Sequence, residues 1–405
     1  MYIDIHLIAK IAIAFAVALV LSFIVTPAVK SFAQKVGAID VPKDARRMHD
    51  HPIPRLGGLA IFVAFILSVL LTAEINRQVQ GILLGSVIIV VVGVIDDIVS
   101  LAALVKLAGQ IAAALVAVFF GVVINVVSNP NVFSSSEYIV LGAVAVPVTV
   151  LWIVGVTNSV NLIDGLDGLA VGVSAIASIT MLVISIVLEQ SNVAVILAAL
   201  AGACVGFMPY NLNPAKIFMG DTGALLLGFV LSTVSIIGLF KFYAIITFVV
   251  PFLVLGLPIF DTTFAIIRRL AKGRNPLSPD RGHFHHRLID MGLSQKQAVA
   301  ILYLISGMLG VAAVLITTSG ELKAVLLLLA FFVALVLGWF VKKSFSREKL
   351  RRAEQAAAGA GRQTASEGAP AQPHTENLQP AERAEEPQAD GADPSDRQGD
   401  HDQHD

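Results

Sequence analysis

Long apolar segments alternate with short polar ones from the N-terminus to about residue 341. Most of the apolar segments approach the 17 to 25 residues, roughly, that a helix needs to cross about 30 Å of hydrocarbon. Hydrocarbon offers no water to backbone groups, so such segments cross it as helices. The pattern predicts eleven spans, over about residues 5–27, 57–73, 81–95, 104–125, 138–156, 168–188, 193–210, 222–240, 243–267, 297–317 and 322–341.

The predicted fold is an all-α polytopic integral membrane protein with about 11 transmembrane helices. A hydrophobic content of 56% and a mean hydropathy of +0.81 agree with lipid rather than a water-soluble core. No small-residue cleavage pattern follows the first apolar segment, so we expect a retained helix and not a signal peptide. The single cysteine, Cys204, lies in a predicted span, which excludes a disulfide framework and a thiolate metal cluster.

Basic residues are divided unequally between the two sets of polar segments. With the N-terminus outside, the inner loops and the start of the tail hold 21 Lys and Arg, and the outer side holds four. Lys and Arg concentrate in cytoplasmic loops, so this bias predicts an N-out, C-in orientation. The cytoplasmic loops that carry unusual polar residues are about residues 28–56, 96–106, 157–168, 211–222 and 268–296.

The C-terminal segment has a different composition from the rest of the chain. From residue 355 onward it contains eleven acidic and three basic residues, five prolines and few large apolar residues. A segment of this kind buries too little apolar surface to fold. The sequence therefore predicts a transmembrane domain over 1–344 and a disordered cytoplasmic tail over 345–405.

The stretch NSVNLIDGLDGLA (158–170) places Asn158, Asn161, Asp164 and Asp167 at intervals of three residues. On a helix of 3.6 residues per turn, four such positions fan over about 180° and cannot all face one small ion. Two glycines follow the aspartates and permit tight turns. We therefore predict a loop leading into a helix, which can direct these side chains to different parts of a ligand.

Asp96 and Asp97 lie at the predicted C-terminal end of a span, where the helix dipole disfavours negative charge. We expect a cation to compensate them, although they could simply end a helix in the headgroup region.

Asp221, in FMGDTGAL, precedes another span. Asp and Asn oxygens without a full protein cage suit Mg²⁺, which keeps waters and is shared with substrate phosphates.

Three histidines occur within four positions, at His283, His285 and His286, with Arg281 and Arg287 beside them. The arginines favour a cationic patch for phosphate oxygens over the alternative, a metal-binding tract.

Several of these motifs also have simpler interpretations. Gly57 and Gly58 could be turn residues only, and Ser294 with Gln297 predicts a capping box for the tenth span. Helix caps at the membrane surface could explain any one polar motif, but less easily five on the same side. A transporter is the alternative from another class, although carriers place charges near the bilayer midplane and often within repeats. Here the acids cluster at span ends, and no internal repeat is found.

The set of motifs resembles the polyprenyl-phosphate N-acetylhexosamine-1-phosphate transferases over roughly residues 20–300. The resemblance rests on PRLGG (54–58), the Asp96–Asp97 pair with Lys106 and Gln110, NSVNLIDGLDGLA (158–170), FMGDTGAL (218–225) and HFHHRL (283–288). The HxHH form is similar to the branch that takes UDP-N-acetylglucosamine rather than UDP-MurNAc-pentapeptide. Phe284 stands where an aliphatic residue is more usual, and the acidic tail is not a family feature.

The resemblance implies transfer of N-acetylglucosamine-1-phosphate from UDP-GlcNAc to undecaprenyl or another polyprenyl phosphate, with release of UMP. This would be the first membrane step of teichoic acid or O-antigen type polysaccharide synthesis. Another UDP-N-acetylhexosamine remains an alternative donor. The resemblance also implies a plasma membrane location and an active site on the cytoplasmic face. The membrane is an expected partner, a homodimer is compatible with the family, and nucleic acid is not expected.

The resemblance further implies roles for individual residues. Asp221 and Asn161 would bind Mg²⁺, for which Mn²⁺ could substitute. Asp96 and Asp97 would lie at the lipid phosphate, as proton acceptor or as positioning groups. The remaining implied catalytic residues are Lys106, His283, His285 and His286. The implied substrate-binding residues are Arg55, Asn158, Asp164, Asp167, Phe218 and Arg287.

Overall fold

The computed structural model describes residues 5–41, 51–128, 138–239, 246–273 and 282–318, together with helical positions 326, 329 and 333. Within these residues the structure is mostly helical, in agreement with a polytopic membrane protein. The helices, in chain order, are α1 (Ile5–Lys35), α2 (Gly58–Thr72), α3 (Arg77–Val99), α4 (Ala103–Phe119), α5 (Ala145–Ile163), α6 (Leu169–Val187), α7 (Ser191–Asn211), α8 (Gly220–Gly238), α9 (Ile246–Val254), α10 (Gly256–Ala271), α11 (Phe284–Asp290) and α12 (Gln295–Thr317).

Seven helices in the described part of the chain are long and apolar enough to cross a membrane: α1, α3, α5 with the 3₁₀ turn before it, α6, α7, α8 and α12. The helices α2 and α4 are apolar but shorter. Nine of the predicted spans thus each overlap one helix and a tenth overlaps two, but the number that crosses the bilayer stays a prediction. The eleventh predicted span, 322–341, and the predicted tail lie outside the described residues, apart from three isolated positions.

The predicted span 243–267 is not one helix but two, because the chain is interrupted between α9 and α10. Pro251 lies inside α9, and Pro258 lies in the first turn of α10. Proline lacks an N–H and fits only the first turn of a helix without loss of a hydrogen bond. A second helix therefore begins at Gly256.

Two short antiparallel strand pairs were not expected for an all-α chain. β1 (Ile39–Asp40) pairs with β2 (Ile53–Pro54), and β3 (Val126–Ser128) pairs with β4 (Tyr138–Val140). The first pair matters for the site, because β2 leads directly into the PRLGG segment.

The helix α8 lies at the centre of the bundle, and 89% of its span is buried inside the protein. It packs against α3 and α5, with further contacts to α2, α6 and α7. The C-terminal end of α3, the N-terminal end of α4 and the C-terminal end of α5 all approach the N-terminal end of α8. The polar motifs therefore meet at one end of an otherwise apolar bundle. The N-out, C-in orientation stays a prediction.

The start of α12 agrees with its sequence signal. The Ser294 side chain accepts from the backbone of Gln297, and the Gln297 side chain accepts from the backbone of Ser294. This reciprocal pair satisfies two N–H groups that a helix start leaves unpaired. The predicted capping box is confirmed.

Candidate active site

A polar cavity of about 370 Å³ opens at the end of the bundle where the motifs meet. Eight of the predicted site residues line it: Arg55, Asp97, Asn161, Asp164, Asp167, Phe218, Asp221 and His286. The wall is completed by Asp40, Gly165, Leu166, Asn211, Met219, Gly220 and Gln295. Residues distant in sequence thus form one concave polar surface, the usual form of a ligand site.

Asp221 is held from two sides in this cavity. Lys106 Nζ donates to its Oδ2 at 3.0 Å, and the amide nitrogen of Asn161 donates to its Oδ1 at 2.5 Å. The Lys106 ammonium also contacts the Asp96 carboxylate. Lys106 therefore bridges two carboxylates, and Nε of Arg55 lies 3.8 Å from Oδ1 of Asp97. The expectation that cations compensate the Asp96–Asp97 pair is confirmed.

Asp97 binds the N-terminal end of α8. Its Oδ1 accepts from the backbone N–H of Asp221 at 3.0 Å, and its Oδ2 accepts from the backbone N–H and hydroxyl of Thr222 at 3.0 and 2.6 Å. The residue is only 2% exposed. The charge that the dipole of α3 disfavours is thus stabilised by the dipole of α8.

Gly220 allows this close contact between α3 and α8. It has a φ of +73°, and a Cβ built on it would collide with the Asp97 carboxylate. Glycine adopts positive φ without the steric cost of a side chain. The glycine of MGDTG therefore lets Asp97 reach the helix start.

The PRLGG segment pairs with the backbone just before α8. Phe218 N donates to the Pro54 carbonyl at 2.8 Å, and Gly57 N donates to the Phe218 carbonyl at 3.0 Å. A Cβ on Gly58 would collide with the backbone of Gly223 in α8. Gly57 and Gly58 thus allow this segment to pack closely against its neighbours, whereas the simpler interpretation made them turn residues only.

Arg55 connects the PRLGG segment to the end of α3. Its guanidinium donates two hydrogen bonds, of 3.0 and 2.9 Å, to the backbone carbonyl of Asp97. Because Arg55 also lines the cavity, it presents a positive charge there while holding the last turn of α3.

The stretch 158–170 is half helix and half loop. Asn158 and Asn161 belong to the last turns of α5, and the loop begins at Asp164 and leads into α6. Asn158 faces away from the cavity wall and exchanges two amide hydrogen bonds with Gln110, of 3.2 and 2.6 Å. The predicted loop is confirmed for its second half.

The two aspartates of this loop differ in surroundings. Asp167 accepts from the Asn213 amide at 2.9 Å and from the Ala215 backbone at 3.0 Å, so it anchors the chain before α8. Burial, together with the charges of Asp221 and other cavity carboxylates, raises the pKa of Asp164 to about 8. A cavity with this excess of carboxylate charge favours a cationic ligand.

The histidine segment reaches the cavity through its last member. Of the three histidines, only His286 lines the cavity. His285 is buried between its neighbours, and burial, with the charge of His286, lowers its pKa to about 4. Arg287 is exposed and outside the cavity wall, and Arg281 lies outside the described residues.

Asp261 of α10 is a site residue that was not singled out from the sequence. Its Oδ2 is 2.8 Å from Nδ1 of His283, and its Oδ1 accepts from the backbone N–H of Phe284 at 2.8 Å. A lone acid inside a predicted apolar span is costly and usually functional, and this signal could have identified it.

The predicted Mg²⁺ site has few protein ligands. Within the described residues, no group of three or more His, Cys, Asp or Glu side chains is arranged to hold a metal ion. The Asp221 carboxylate with the Asn161 amide fits a hard cation that takes one or two protein ligands and keeps its remaining places for water or phosphate.

A second cavity, of about 340 Å³, lies between α5, α9 and α10 and is almost wholly apolar. Its wall includes Leu151 and Trp152 of α5, Phe252 of α9, and Ile259 and Ile266 of α10. The chain therefore has an apolar cavity in addition to the polar one, with α10 contributing to the apolar wall.

Comparison with known proteins gives a consistent set of relatives. The sequence pattern of glycosyl transferase family 4 matches residues 79–239. That range contains both the Asp96–Asp97 pair and Asp221, but neither Arg55 nor the histidine segment.

Similarity to individual proteins extends further along the chain. Over 334 residues it is 40% identical to a probable undecaprenyl-phosphate N-acetylglucosaminyl 1-phosphate transferase of Bacillus subtilis, covering 82% of this chain and 90% of that protein. It is 35% identical to a decaprenyl-phosphate N-acetylglucosaminephosphotransferase of Mycolicibacterium smegmatis, covering 81% and 87%. It is 34% identical to an undecaprenyl-phosphate alpha-N-acetylglucosaminyl 1-phosphate transferase of Thermotoga maritima, covering 66% and 78%.

Proposed function

The chain belongs to glycosyl transferase family 4, and on that basis we propose that it transfers N-acetylglucosamine-1-phosphate from UDP-GlcNAc to a polyprenyl phosphate. The relatives named above carry this activity in their names. The observation that carries the proposal here is the polar cavity in which Asp221, Asn161 and His286 meet. The donor could also be another UDP-N-acetylhexosamine.

The reaction is a displacement at phosphorus. An oxygen of the lipid phosphate forms a bond to the sugar-linked phosphorus of UDP-GlcNAc, and the bond from that phosphorus to the bridging oxygen breaks. UMP leaves with the bridging oxygen, and the product is a polyprenyl pyrophosphoryl sugar. Such a reaction depends on positioning and on stabilising spread negative charge. A cavity lined by both acidic and basic groups suits that task.

Asp221 and Asn161 are the residues that would hold Mg²⁺, or Mn²⁺ in its place. The metal would neutralise charge on the donor pyrophosphate. Lys106, 3.0 Å from Asp221, supplies a second positive charge next to the same position. Arg55 and His286 add basic groups from other segments of the cavity wall.

Asp96 and Asp97 are given different tasks. Asp97 directs both carboxylate oxygens at α8 and is proposed to position Asp221. Asp96, paired with Lys106, is proposed to act on the lipid phosphate. The second pKa of a phosphate monoester is about 6, so the acceptor is mostly ionised at pH 7 and needs a base only where neighbouring carboxylates raise that value.

The donor is proposed to occupy the rest of the polar cavity. Phe218 offers a ring for the uracil, and Asp164 and Asp167 lie in the loop beside it. His286 would meet the pyrophosphate, with His283 and His285 behind it. Asn158 and Arg287 do not line the cavity, so any contribution from Asn158 acts through Gln110.

The second substrate explains the apolar surroundings. The polyprenyl tail must remain in hydrocarbon while its phosphate reaches the polar cavity, and the apolar cavity beside α5 and α10 offers a place for the tail. The location is proposed to be the plasma membrane, with the polar cavity on the cytoplasmic face. The domain is proposed to be residues 1–344, with 345–405 as a dispensable tail.

The test is an assay of purified full-length protein in detergent with a polyprenyl phosphate, Mg²⁺ and either UDP-GlcNAc or UDP-GalNAc. We expect UMP release that requires the lipid and is faster with UDP-GlcNAc. Ile267→Val, at an exposed position of α10, is the matched control for a mutated membrane helix. Lipid-dependent UMP release from neither donor would contradict the proposal and favour the transporter.

A further inference from the structure

Asp261 is a buried carboxylate that belongs to neither cavity wall. It is 3% exposed, in the second turn of α10, and both of its oxygens are engaged. Oδ2 pairs with Nδ1 of His283 and Oδ1 accepts from the backbone N–H of Phe284, each at 2.8 Å. A buried carboxylate is stable only when its oxygens are paired. Asp261 therefore binds both the side chain of His283 and the beginning of α11.

The same helix holds the segment at a second point. Arg268 donates to the backbone carbonyl of Gly282 at 2.9 Å. Arg268 lies seven residues, about two turns, after Asp261, so the two side chains leave α10 on similar sides. The chain from 282 to 284 is thus fixed to α10 at each end.

Ring contacts extend this attachment to the polar cavity. The ring of His283 is nearly parallel to that of His285, with centroids 5.8 Å apart, and the rings of His285 and His286 are 4.3 Å apart. His285 also lies against the DGLDG loop (164–168). The two are so close that a Cβ at Gly165 would collide with Nε2 of His285. His286 then completes the cavity wall. A carboxylate outside the cavity is thus connected, through these contacts, to a residue of the cavity wall.

We propose that Asp261 is a positioning residue, which fixes His283 and the start of α11 and thereby holds His286 in the wall of the polar cavity. The contact between Asp261 Oδ2 and Nδ1 of His283 also fixes which edge of the His283 ring faces α10. The effect on catalysis rests on the proposed function, whereas the effect on the histidines does not.

The first experiment labels histidines in the intact protein. Diethyl pyrocarbonate acylates accessible imidazoles, and peptide mass spectrometry gives a rate for each histidine. In Asp261→Asn the amide can accept only one of the two hydrogen bonds, so the segment opens more often. We expect labelling of His283 and His286 to accelerate about fivefold or more, a lost buried hydrogen bond being sufficient for that change. Ile267→Val should label at the rate of the unmodified protein.

A second pair of variants keeps the proposal testable if Asp261→Asn does not fold. The amide nitrogen of Asn occupies nearly the place of Nδ1, and that of Gln the place of Nε2. His283→Asn should therefore retain the bond to Asp261 and leave His286 labelling unchanged, whereas His283→Gln should accelerate it. Equal rates in both variants would overturn the proposal.

The kinetic arm separates positioning from a loss of folded protein. Asp261→Asn should raise the KM for UDP-GlcNAc about tenfold, because losing one hydrogen bond from a displaced His286 to the charged donor is sufficient for that change. A purely structural defect would lower kcat per total protein and leave KM unchanged, which would overturn the proposal, as would unchanged labelling. If the unmodified protein releases no UMP, the proposed function fails while the labelling result still decides the role of Asp261.

Discussion

At the scale of single residues, Asp96 and Asp97 show how far neighbours in sequence can differ in structure. Asp96 pairs with Lys106, and Asp97 accepts three hydrogen bonds from the start of α8. Both were predictable as site residues, because two acids at the end of a span are unusual. The different partners of the two residues were not predictable, since the α8 groups that donate to Asp97 are more than 120 residues away in sequence.

Thr222→Val tests whether Asp97 acts through α8. Valine removes the hydroxyl that donates to Asp97 at 2.6 Å, and Asp97→Asn removes one of the two carboxylate oxygens that accept from the start of α8. Each loss costs about 1–3 kcal/mol locally, so we expect both variants to lower activity about tenfold or more and to raise the Mg²⁺ concentration for half-maximal rate. Thr222→Ser keeps the hydroxyl and is the control. A Thr222→Val enzyme of normal Mg²⁺ dependence would show that Asp97 acts on substrate directly.

Asp221→Asn and Asp96→Asn should respond to different conditions. The amide at 221 can still coordinate but without charge, so higher Mg²⁺ should recover part of the activity. If Asp96 accepts a proton from the lipid phosphate, raising the pH should recover part of the activity of Asp96→Asn by ionising the acceptor without help. Initial rates over a grid of Mg²⁺ and pH measure both effects. Rescue of Asp96→Asn by Mg²⁺ alone would mean that the metal is held by Asp96.

At the scale of secondary structure, the apolar pattern located the helices well and their interruptions poorly. Ten predicted spans overlap helices, because length and hydrophobicity are local properties of a segment. The break between α9 and α10 was missed, since a proline inside an apolar segment kinks a membrane helix in some proteins and ends it in others. The helix after the break, α10, carries Asp261, which contacts the histidine segment.

The short helix α11 should make stability depend on pH. Burial lowers the pKa of His285 to about 4, against 6.5 for the ordinary group. Between those values the unfolded chain binds the proton and the folded protein does not, so stability falls as the pH falls from about 6.5 to about 4. The full effect is about 3 kcal/mol and is complete only below pH 4.

Thermal unfolding of the detergent-solubilised protein at pH 7.5, 6.0 and 5.0 measures this dependence. The glutamine side chain in His285→Gln does not bind a proton in this pH range. The melting temperature of this variant should therefore fall less on acidification than that of the unmodified protein. His51, which lies outside the cavity wall, gives the control His51→Gln. Equal slopes for His285→Gln and the unmodified protein would show that folding does not lower the pKa of His285.

At the scale of the whole molecule, the sequence predicted a polar face at one end of the bundle, and the structure brings the motifs together there. The polar face could be predicted because the order of the spans along the chain assigns each polar loop to one side of the membrane. The sequence did not show which of the motif residues line the cavity and which support the residues that line it. Asn158 and Arg287 illustrate this, since both occupy positions of the family motifs but neither lines the cavity.

The predicted orientation in the membrane rests on the distribution of 21 basic residues against four. Reporter fusions after residue 133 and after residue 345 should report outside and inside, respectively. Both positions lie outside the described residues, so the fusions do not interrupt a described helix. Reporters on the same side would contradict the N-out, C-in arrangement.

The central claim is that the enzyme breaks the pyrophosphate bond of the donor and keeps the sugar-linked phosphate with the lipid. The most direct measurement uses UDP-GlcNAc carrying ³²P only in the phosphate bound to the sugar, with purified protein and polyprenyl phosphate. We predict that the label passes to the lipid fraction while unlabelled UMP is released in equal amount, and that Asp221→Asn slows both. Label that remains in water as UDP would show transfer of the sugar alone and would contradict the account.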